Sequence, residues 1–130
     1  MSEEAPARPL LDRLGVKPGA KVLLASDYDR PFVGLLRGCV KKLARSGEGP
    51  FDIVFLQVDA RAELSRLRQL ERALAKDGAI WVTRRKGPER SVREVDVIEA
   101  AIAAGLVDNK IASFSEELAA MRLVIPLSRR

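Results

Sequence analysis

Apolar residues along the chain follow two spacings, and each spacing predicts a different element of secondary structure. Short runs of consecutive apolar residues, bounded by turn-forming residues, are typical of strands that are buried on both faces. The clearest run is "FDIVFLQV", because it is rich in β-branched and aromatic side chains. On this criterion we predict strands at residues 21–25, 51–58, 79–83, 107–114 and 118–125.

Helices are predicted where apolar residues recur every three or four positions. Such stripes run through residues 31–44 and through residues 61–76, where Gly78 would cap the second helix. Ser91 and Glu94 have the spacing of a capping box, which predicts the start of a third helix. Strands and helices therefore alternate along most of the chain.

This alternation predicts an α/β fold with a mostly parallel sheet of about five strands. The last two strands, 107–114 and 118–125, are joined by "SEE", a turn too short for a crossover, so they must be antiparallel. Residues 1–9 are predicted to form a disordered tail and residues 10–130 a single domain. The segment "RPLLDRLG" is predicted to form one helical turn at the start of that domain.

The placement of the helices leads to a prediction about assembly. If the three helices connect parallel strands that progress in one direction, right-handed crossovers place all three on the same face. The other face of an apolar parallel sheet cannot remain in water. We therefore predict a homodimer in which a second copy covers that face. A different winding of the first helix would instead cover the face within the chain.

Composition excludes several kinds of chemistry. The chain has no histidine and a single cysteine, Cys39. It can build no Ser-His-Asp triad, no Cys-His pair, no histidine metal site and no structural zinc site. We predict no catalytic residue and no metal ligand. Because Cys39 can form no internal disulfide, a cytoplasmic location is expected.

Charge and hydropathy narrow the range of partners. The net charge is +5, from 23 basic and 18 acidic residues, but the two signs are interleaved. Such a pattern favours anionic partners only weakly. The few aromatic residues form no evident stacking platform, so nucleic acid is not expected as a partner. No apolar run approaches the roughly 20 residues of a membrane span, and the N-terminus lacks the apolar core of a signal peptide.

Several segments resemble class I S-adenosylmethionine-dependent methyltransferases. "LLDRLGVKPGAKVLL" is similar to the helix, turn and first strand of that superfamily, and "AKDGAIWV" is similar to the loop before its fifth strand. The closing antiparallel hairpin also matches its C-terminal half. "LGVKPG", "AIWVTRRKG" and "VIEAAIAAGLVDNKIASFSEELAAMRLV" more narrowly resemble a family of small bacterial proteins of unknown function, themselves methyltransferase-like. The resemblance implies a truncated Rossmann-like fold.

The resemblance also shows what the chain lacks. Methyltransferases of this class follow their first strand with a glycine-rich turn, which lets the backbone approach the cofactor. Here no glycine lies between Ala25 and Gly34. Between the first helix and strand 51–58 the sequence has only "RSGEGP", so we expect the usual second and third strands to be missing. No residue is then evident for the acid that holds the ribose hydroxyls of the cofactor. No cofactor is therefore expected, with S-adenosylmethionine as the alternative.

Acidic residues follow two of the predicted strands, where α/β folds bind ligands. Asp27, Tyr28 and Asp29 come after the first strand and could hold a cation or a hydroxylated ligand. Alternatively, Asp27 closes a turn, Asp29 caps the helix and Tyr28 packs over the sheet edge. The resemblance puts Asp59 where many methyltransferases carry a catalytic Asn or Asp, but without their motif. An N-cap is the other interpretation of Asp59.

A basic segment, "TRRKGPERS", leaves the third predicted strand and leads into a helix. It carries the candidate ligand-binding residues Arg84, Arg85, Lys86, Arg90 and Ser91. Cations beside the N–H groups of a helix N-terminus attract anions, so this segment could form a phosphate or carboxylate pocket. The other interpretation is a solvated basic loop.

Together these patterns predict a non-catalytic binding or interaction module with a degenerate methyltransferase-like fold, with a small anion as the candidate ligand. The alternative is a small S-adenosylmethionine-dependent methyltransferase with an atypical cofactor loop.

Overall fold

A computed structural model of the chain describes residues 8–88 and 90–130. The predicted disorder of residues 1–9 falls mainly on residues 1–7, which lie outside the described residues. Within the described residues, six strands form one sheet, together with four α-helices and two short 3-10 helices at Arg61–Arg66 and Leu127–Arg129. In chain order the main elements are α1 (Arg8–Arg13), β1 (Lys21–Leu24), α2 (Arg30–Arg37), β2 (Lys42–Ala44), β3 (Phe51–Val58), α3 (Leu67–Arg72), β4 (Leu74–Arg85), α4 (Glu94–Ala103), β5 (Val107–Ser113) and β6 (Leu118–Val124).

The sheet has the strand order β2-β1-β3-β4-β6-β5. β1 pairs in parallel with both β2 and β3, and β3 pairs in parallel with β4. β6 lies between β4 and β5 and is antiparallel to both. This arrangement confirms the predicted α/β fold with a mostly parallel sheet and an antiparallel C-terminal hairpin. All five predicted strands are present, and β2 is an additional one.

β2 corrects the prediction of a helix over residues 31–44. α2 ends at Arg37, and after a turn the chain forms a short strand parallel to β1. Val40 and Leu43, which continued the helical stripe in the sequence, pack with Phe32 and Leu36 of α2 in one apolar cluster. Because strand and helix contribute to the same core, the stripe alone did not reveal the change of element. The second strand of the methyltransferase pattern is therefore present, although the sequence indicated its loss.

The helix predicted over residues 61–76 is also shorter than expected. A 3-10 helix precedes α3, which ends at Arg72, and β4 begins at Leu74. Gly78 is therefore not a helix cap, because it lies inside β4 at an irregularity in the pairing with β3. A Cβ on Gly78 would lie 2.8 Å from the backbone oxygen of Asp52, so the close approach of β3 requires glycine there.

Helices cover both faces of the sheet. From β1 the chain proceeds through α2 to β2 on one side, whereas β3 and β4 progress in the opposite direction. Right-handed crossovers that run in opposite directions lie on opposite faces. α1 and α2 cover one face, which we name the α2 face, and α3 and α4 cover the other, named the α3 face. The prediction that all helices share a face is wrong, and the homodimer stays a prediction without that argument.

Trp81 of β4 connects α1 to the sheet. Its side chain is fully buried on the α2 face, and its indole Nε1 donates a hydrogen bond of 2.8 Å to the backbone oxygen of Leu14. Cys39 is half-buried against the same cluster. Both residues therefore contribute to packing.

Candidate functional site

The carboxyl ends of β1, β2, β3 and β4 meet at one edge of the sheet, which we call the carboxyl edge. β2 and β3 flank β1 on opposite sides, so the strand order reverses between β1 and β3. Ligands of open α/β sheets bind in the crevice at such a reversal, because the flanking loops leave in opposite directions. The candidate residues that follow β1, β3 and β4 all lie along this edge.

Hydrogen bonds close the crevice between β1 and β3. The Ser26 hydroxyl, just after β1, accepts a hydrogen bond of 2.9 Å from the backbone N–H of Gln57 and donates to the Gln57 carbonyl oxygen at 3.2 Å. The Ala25 N–H donates to the carbonyl oxygen of Phe55 at 2.8 Å. The residues that follow β1 are therefore bonded to β3 itself, at the point where a ligand would otherwise separate the two.

Tyr28 closes the carboxyl edge on the α2 face. Its hydroxyl lies 2.9 Å from the Oγ1 of Thr83, a fully buried residue of β4. Its ring contacts the rings of Phe32, Phe55 and Phe114, with centroids 5.4, 6.0 and 5.8 Å away. The residue as a whole is half-buried, but its hydroxyl end is in the interior.

The environment of Tyr28 also determines its protonation. Burial of the hydroxyl raises its pKa well above the ordinary value, and the hydrogen bond with Thr83 opposes this increase only in part. Tyr28 therefore stays protonated near neutral pH and does not act as a general base there.

The two aspartates beside Tyr28 have separate structural contacts. Asp29 is the N-cap of α2, and its Oδ1 accepts a hydrogen bond of 3.0 Å from the Phe32 N–H. Asp27 is fully exposed, and its Oδ1 lies 3.5 Å from a guanidinium nitrogen of Arg45. The structure therefore directs the side chains of three consecutive residues, Asp27, Tyr28 and Asp29, to different partners.

Asp59 is not the N-cap that the sequence suggested. The next 3-10 helix starts after Ala60, and the N–H groups of Asp59 and Ala60 both donate to the Glu63 carboxylate, at 2.6 and 2.9 Å. These two hydrogen bonds lower the pKa of the Glu63 carboxyl, and the bond from the Asp59 N–H has the larger effect. The carboxylate of Asp59 lies 3.5 Å from Nε of Arg85 instead.

The basic loop, defined as residues 84–91, has a partner for each of its cations. The largely buried Arg84 lies 3.6 Å from Glu94, and Arg85 contacts Asp59. The Lys86 ammonium donates to Ser113 Oγ at 2.9 Å and to the Ser115 carbonyl oxygen at 2.8 Å. Arg90 donates to the carbonyl oxygen of Gly87.

A small hollow of about 150 Å³ does bring several predicted residues together. It lies between β3 and the basic loop, and its predicted members are Asp59, Arg85, Arg90 and Ser91. The predicted capping box of Ser91 and Glu94 is wrong, because α4 begins two residues later than the pattern indicated. Arg93 is the N-cap, and its N–H bonds to Asp96 at 2.8 Å.

The sequence patterns did not predict a larger basic hollow, which lies on the α3 face. This hollow, which we name the arginine groove, has a volume of about 590 Å³. The loop after β2 forms one wall, and α3 with its preceding 3-10 helix forms the other. The groove is lined by Leu23, Ala25, Arg45, Ser46, Gly47, Glu48, Arg66, Gln69, Leu70, Arg72 and Ala73. Its arginines come from separate segments that only the fold brings together.

Two kinds of feature are absent from residues 8–88 and 90–130. No group of three or more Cys, Asp or Glu side chains there is placed to hold a metal ion. In the same residues, no helix has both the length and the apolar content needed to cross a membrane.

Solved structures with the same fold include S-adenosylmethionine-dependent methyltransferases. A TehB-like SAM-dependent methyltransferase from Corynebacterium glutamicum matches at 17% identity with a TM-score of 0.58, over 95% of this chain and 92% of its own. A putative methyltransferase from Bacillus halodurans matches at 16% identity and 0.64, over 81% and 68%. The Burkholderia thailandensis 1,6-didemethyltoxoflavin-N1-methyltransferase, solved with S-adenosylhomocysteine, matches at 16% and 0.58, over 93% and 78%. At these identities the likeness establishes the fold alone.

Sequence comparison gives the family. No curated protein matches the chain significantly. The profile of the family described as "Protein of unknown function (DUF3052)" matches residues 48–127, which is more than half of the chain. The chain therefore belongs to this family of unknown function, and its fold is the Rossmann fold of the methyltransferases.

Proposed function

We propose that this protein is a non-catalytic binding module with a methyltransferase-like fold, and that it takes a small anion rather than a methyl donor. The observation that carries the proposal is the closure of the carboxyl edge. Tyr28 occupies its α2 face and bonds to the buried Thr83, while Ser26 ties the segment after β1 to the end of β3. A cofactor at the strand reversal would have to break these contacts.

Charge supports the same proposal. S-adenosylmethionine carries a positively charged sulfonium, and arginines line two hollows beside the parallel strands. Arg45 follows β2, Arg66 and Arg72 lie across the groove, and Arg30 and Arg37 line a second hollow with Arg45. Such a concentration of positive charge favours anions over cations.

The alternative, a methyltransferase that binds its cofactor through Asp27, Tyr28 and Asp29, draws on the structural likeness to enzymes that use S-adenosylmethionine. Calorimetric titration with S-adenosylhomocysteine separates the two functions. We expect dissociation constants weaker than about 1 mM, equivalent to about 4 kcal/mol of binding free energy.

Matched variants make the titration decisive. Asp27 and Asp108 are both exposed acids, and Asp27 alone lies at the carboxyl edge. Micromolar binding of S-adenosylhomocysteine that is lost in Asp27→Asn and kept in Asp108→Asn would establish the alternative and overturn the non-catalytic proposal.

A further inference from the structure

The arginine groove exists because no helix connects β2 to β3. Residues 45–50 pass directly from one strand to the other, so a loop rather than a helix lies beside α3 on the α3 face of β1. Leu23 and Leu70 form a buried apolar floor in the groove. A cavity of about 590 Å³ lies within the roughly 300–1,000 Å³ of small-molecule sites.

The rim of the groove is strongly basic. Arg45, Arg66 and Arg72 line it together with one carboxylate, that of Glu48. Arg45 also contacts the fully exposed Asp27 at 3.5 Å, and ion pairs in such exposed positions contribute little. In the part of the chain that the structure describes, no carboxylate oxygen lies within 4.0 Å of a guanidinium nitrogen of Arg66 or Arg72, so neither arginine forms an ion pair there.

Arg66 is already held in position. One of its guanidinium nitrogens donates a hydrogen bond of 2.7 Å to the carbonyl oxygen of Ala25, at the end of β1. A side chain that is fixed before a ligand arrives loses less conformational entropy on binding. The remaining N–H groups of Arg66 can still donate to an anion.

We propose that the arginine groove binds a small organic phosphate with a planar ring, of the nucleotide class. The phosphate oxygens accept hydrogen bonds from the arginines, whose forked guanidinium groups match phosphate geometry. The ring lies on the floor formed by Leu23 and Leu70. Several guanidinium groups suit a phosphate better than a carboxylate, because a phosphate offers more charge and more acceptor oxygens.

This inference rests on the proposed function, since it names the site and ligand class of the same binding module. It differs from the sequence prediction, which placed an anion at the basic loop. There Arg84 and Arg85 face Glu94 and Asp59, whereas Arg66 and Arg72 in the groove face a ligand-sized space.

Calorimetric titration of the full chain with three probes tests the ligand class. ADP has both phosphate and ring, adenosine has the ring alone, and inorganic phosphate has no ring. We expect ADP to bind at least about tenfold more tightly than either partial probe. Adenosine binding as tight as ADP binding would overturn the phosphate contact, and inorganic phosphate binding as tight as ADP binding would overturn the ring contact.

A pair of double variants tests the location. Arg45→Gln with Arg72→Gln removes two charges from the groove and leaves Arg66 bonded to Ala25. Arg85→Gln with Arg90→Gln removes two charges from the basic loop and is the matched control. We expect the groove variant to lose at least about tenfold in ADP affinity, and the loop variant to change by less than about twofold. Circular dichroism checks that both fold.

The other outcomes separate this inference from the proposed function. Loss of ADP binding in the loop variant alone would move the anion to the basic loop, which overturns the groove site and leaves the binding module in place. Failure of ADP to bind the wild-type chain overturns the groove assignment. If S-adenosylhomocysteine then binds in its place, the proposed function fails as well.

Discussion

The two faces of the sheet differ at the carboxyl edge in how closely their side chains pack. On the α2 face, Tyr28 packs against three phenylalanines and reaches a buried threonine, so apolar contacts fill the edge. On the α3 face, the chain leaves a groove of about 590 Å³ with arginines along its rim. On the α2 face the basic hollow lies outside the packed aromatic side chains, beside α2, whereas on the α3 face the groove reaches β1 itself at Leu23.

With the proposed site in the groove, stability and binding depend on opposite faces of the sheet. Substitutions on the closed α2 face should affect the free energy of unfolding, because buried apolar contacts are lost. Substitutions at the exposed rim of the groove should affect ligands and leave unfolding almost unchanged. The three predictions below test this separation.

Tyr28→Ala is expected to have the largest effect. It removes the ring from the cluster of Phe32, Phe55 and Phe114 and leaves Thr83 without its partner. We expect a loss of about 2–4 kcal/mol in the free energy of unfolding, somewhat below a fully buried aromatic because Tyr28 is half-buried. Urea denaturation measures it, and a loss below about 1 kcal/mol would contradict the role of Tyr28 as a packing residue.

Removing the hydroxyl contact alone should have an intermediate effect. Tyr28→Phe and Thr83→Val each leave one buried hydroxyl without this partner, which should cost about 1–2 kcal/mol. The double variant should lose less than the sum of the two, because the second substitution removes an already broken contact. Strict additivity in a double-mutant cycle would show that the hydroxyls do not interact.

The groove variant Arg45→Gln with Arg72→Gln should have the smallest effect on stability. Arg45 makes only an exposed ion pair, and Arg72 has no carboxylate within ion-pair distance in the described residues. We expect the free energy of unfolding to change by less than about 0.5 kcal/mol. A loss above about 2 kcal/mol in the same urea titration would mean that the groove is a structural element, which removes the contrast between the faces.

Much of the fold could be predicted from apolar spacing and turn lengths. The five longer strands and the antiparallel hairpin follow from local patterns that tertiary packing did not change. β2 could not be found in this way, since Val40 and Leu43 face the same core as α2 and continue its spacing. That one short strand reverses the direction of the sheet, so missing it also placed the helices on the wrong faces.

The candidate site was predicted less well than the fold. Position in the chain correctly indicated that Asp27, Tyr28, Asp29 and Asp59 follow strand ends. It could not give the distant partners of three of them, because Arg45, Thr83 and Arg85 come from elsewhere in the chain. The density of basic residues pointed to the basic loop, whereas the arginine groove combines Arg45, which follows β2, with Arg66 and Arg72 of the helical segment before β4. The glycines of "RSGEGP", which let the chain pass to β3 without a helix, were the available signal.

The bond between Trp81 and Leu14 gives the protein an internal reporter. The chain has one tryptophan, so its intrinsic fluorescence arises from a single indole placed between β4 and the end of α1. Detachment of the N-terminal helix would bring water to that indole and shift its emission to longer wavelength. The docking of the first helix can therefore be followed optically in the unlabelled protein.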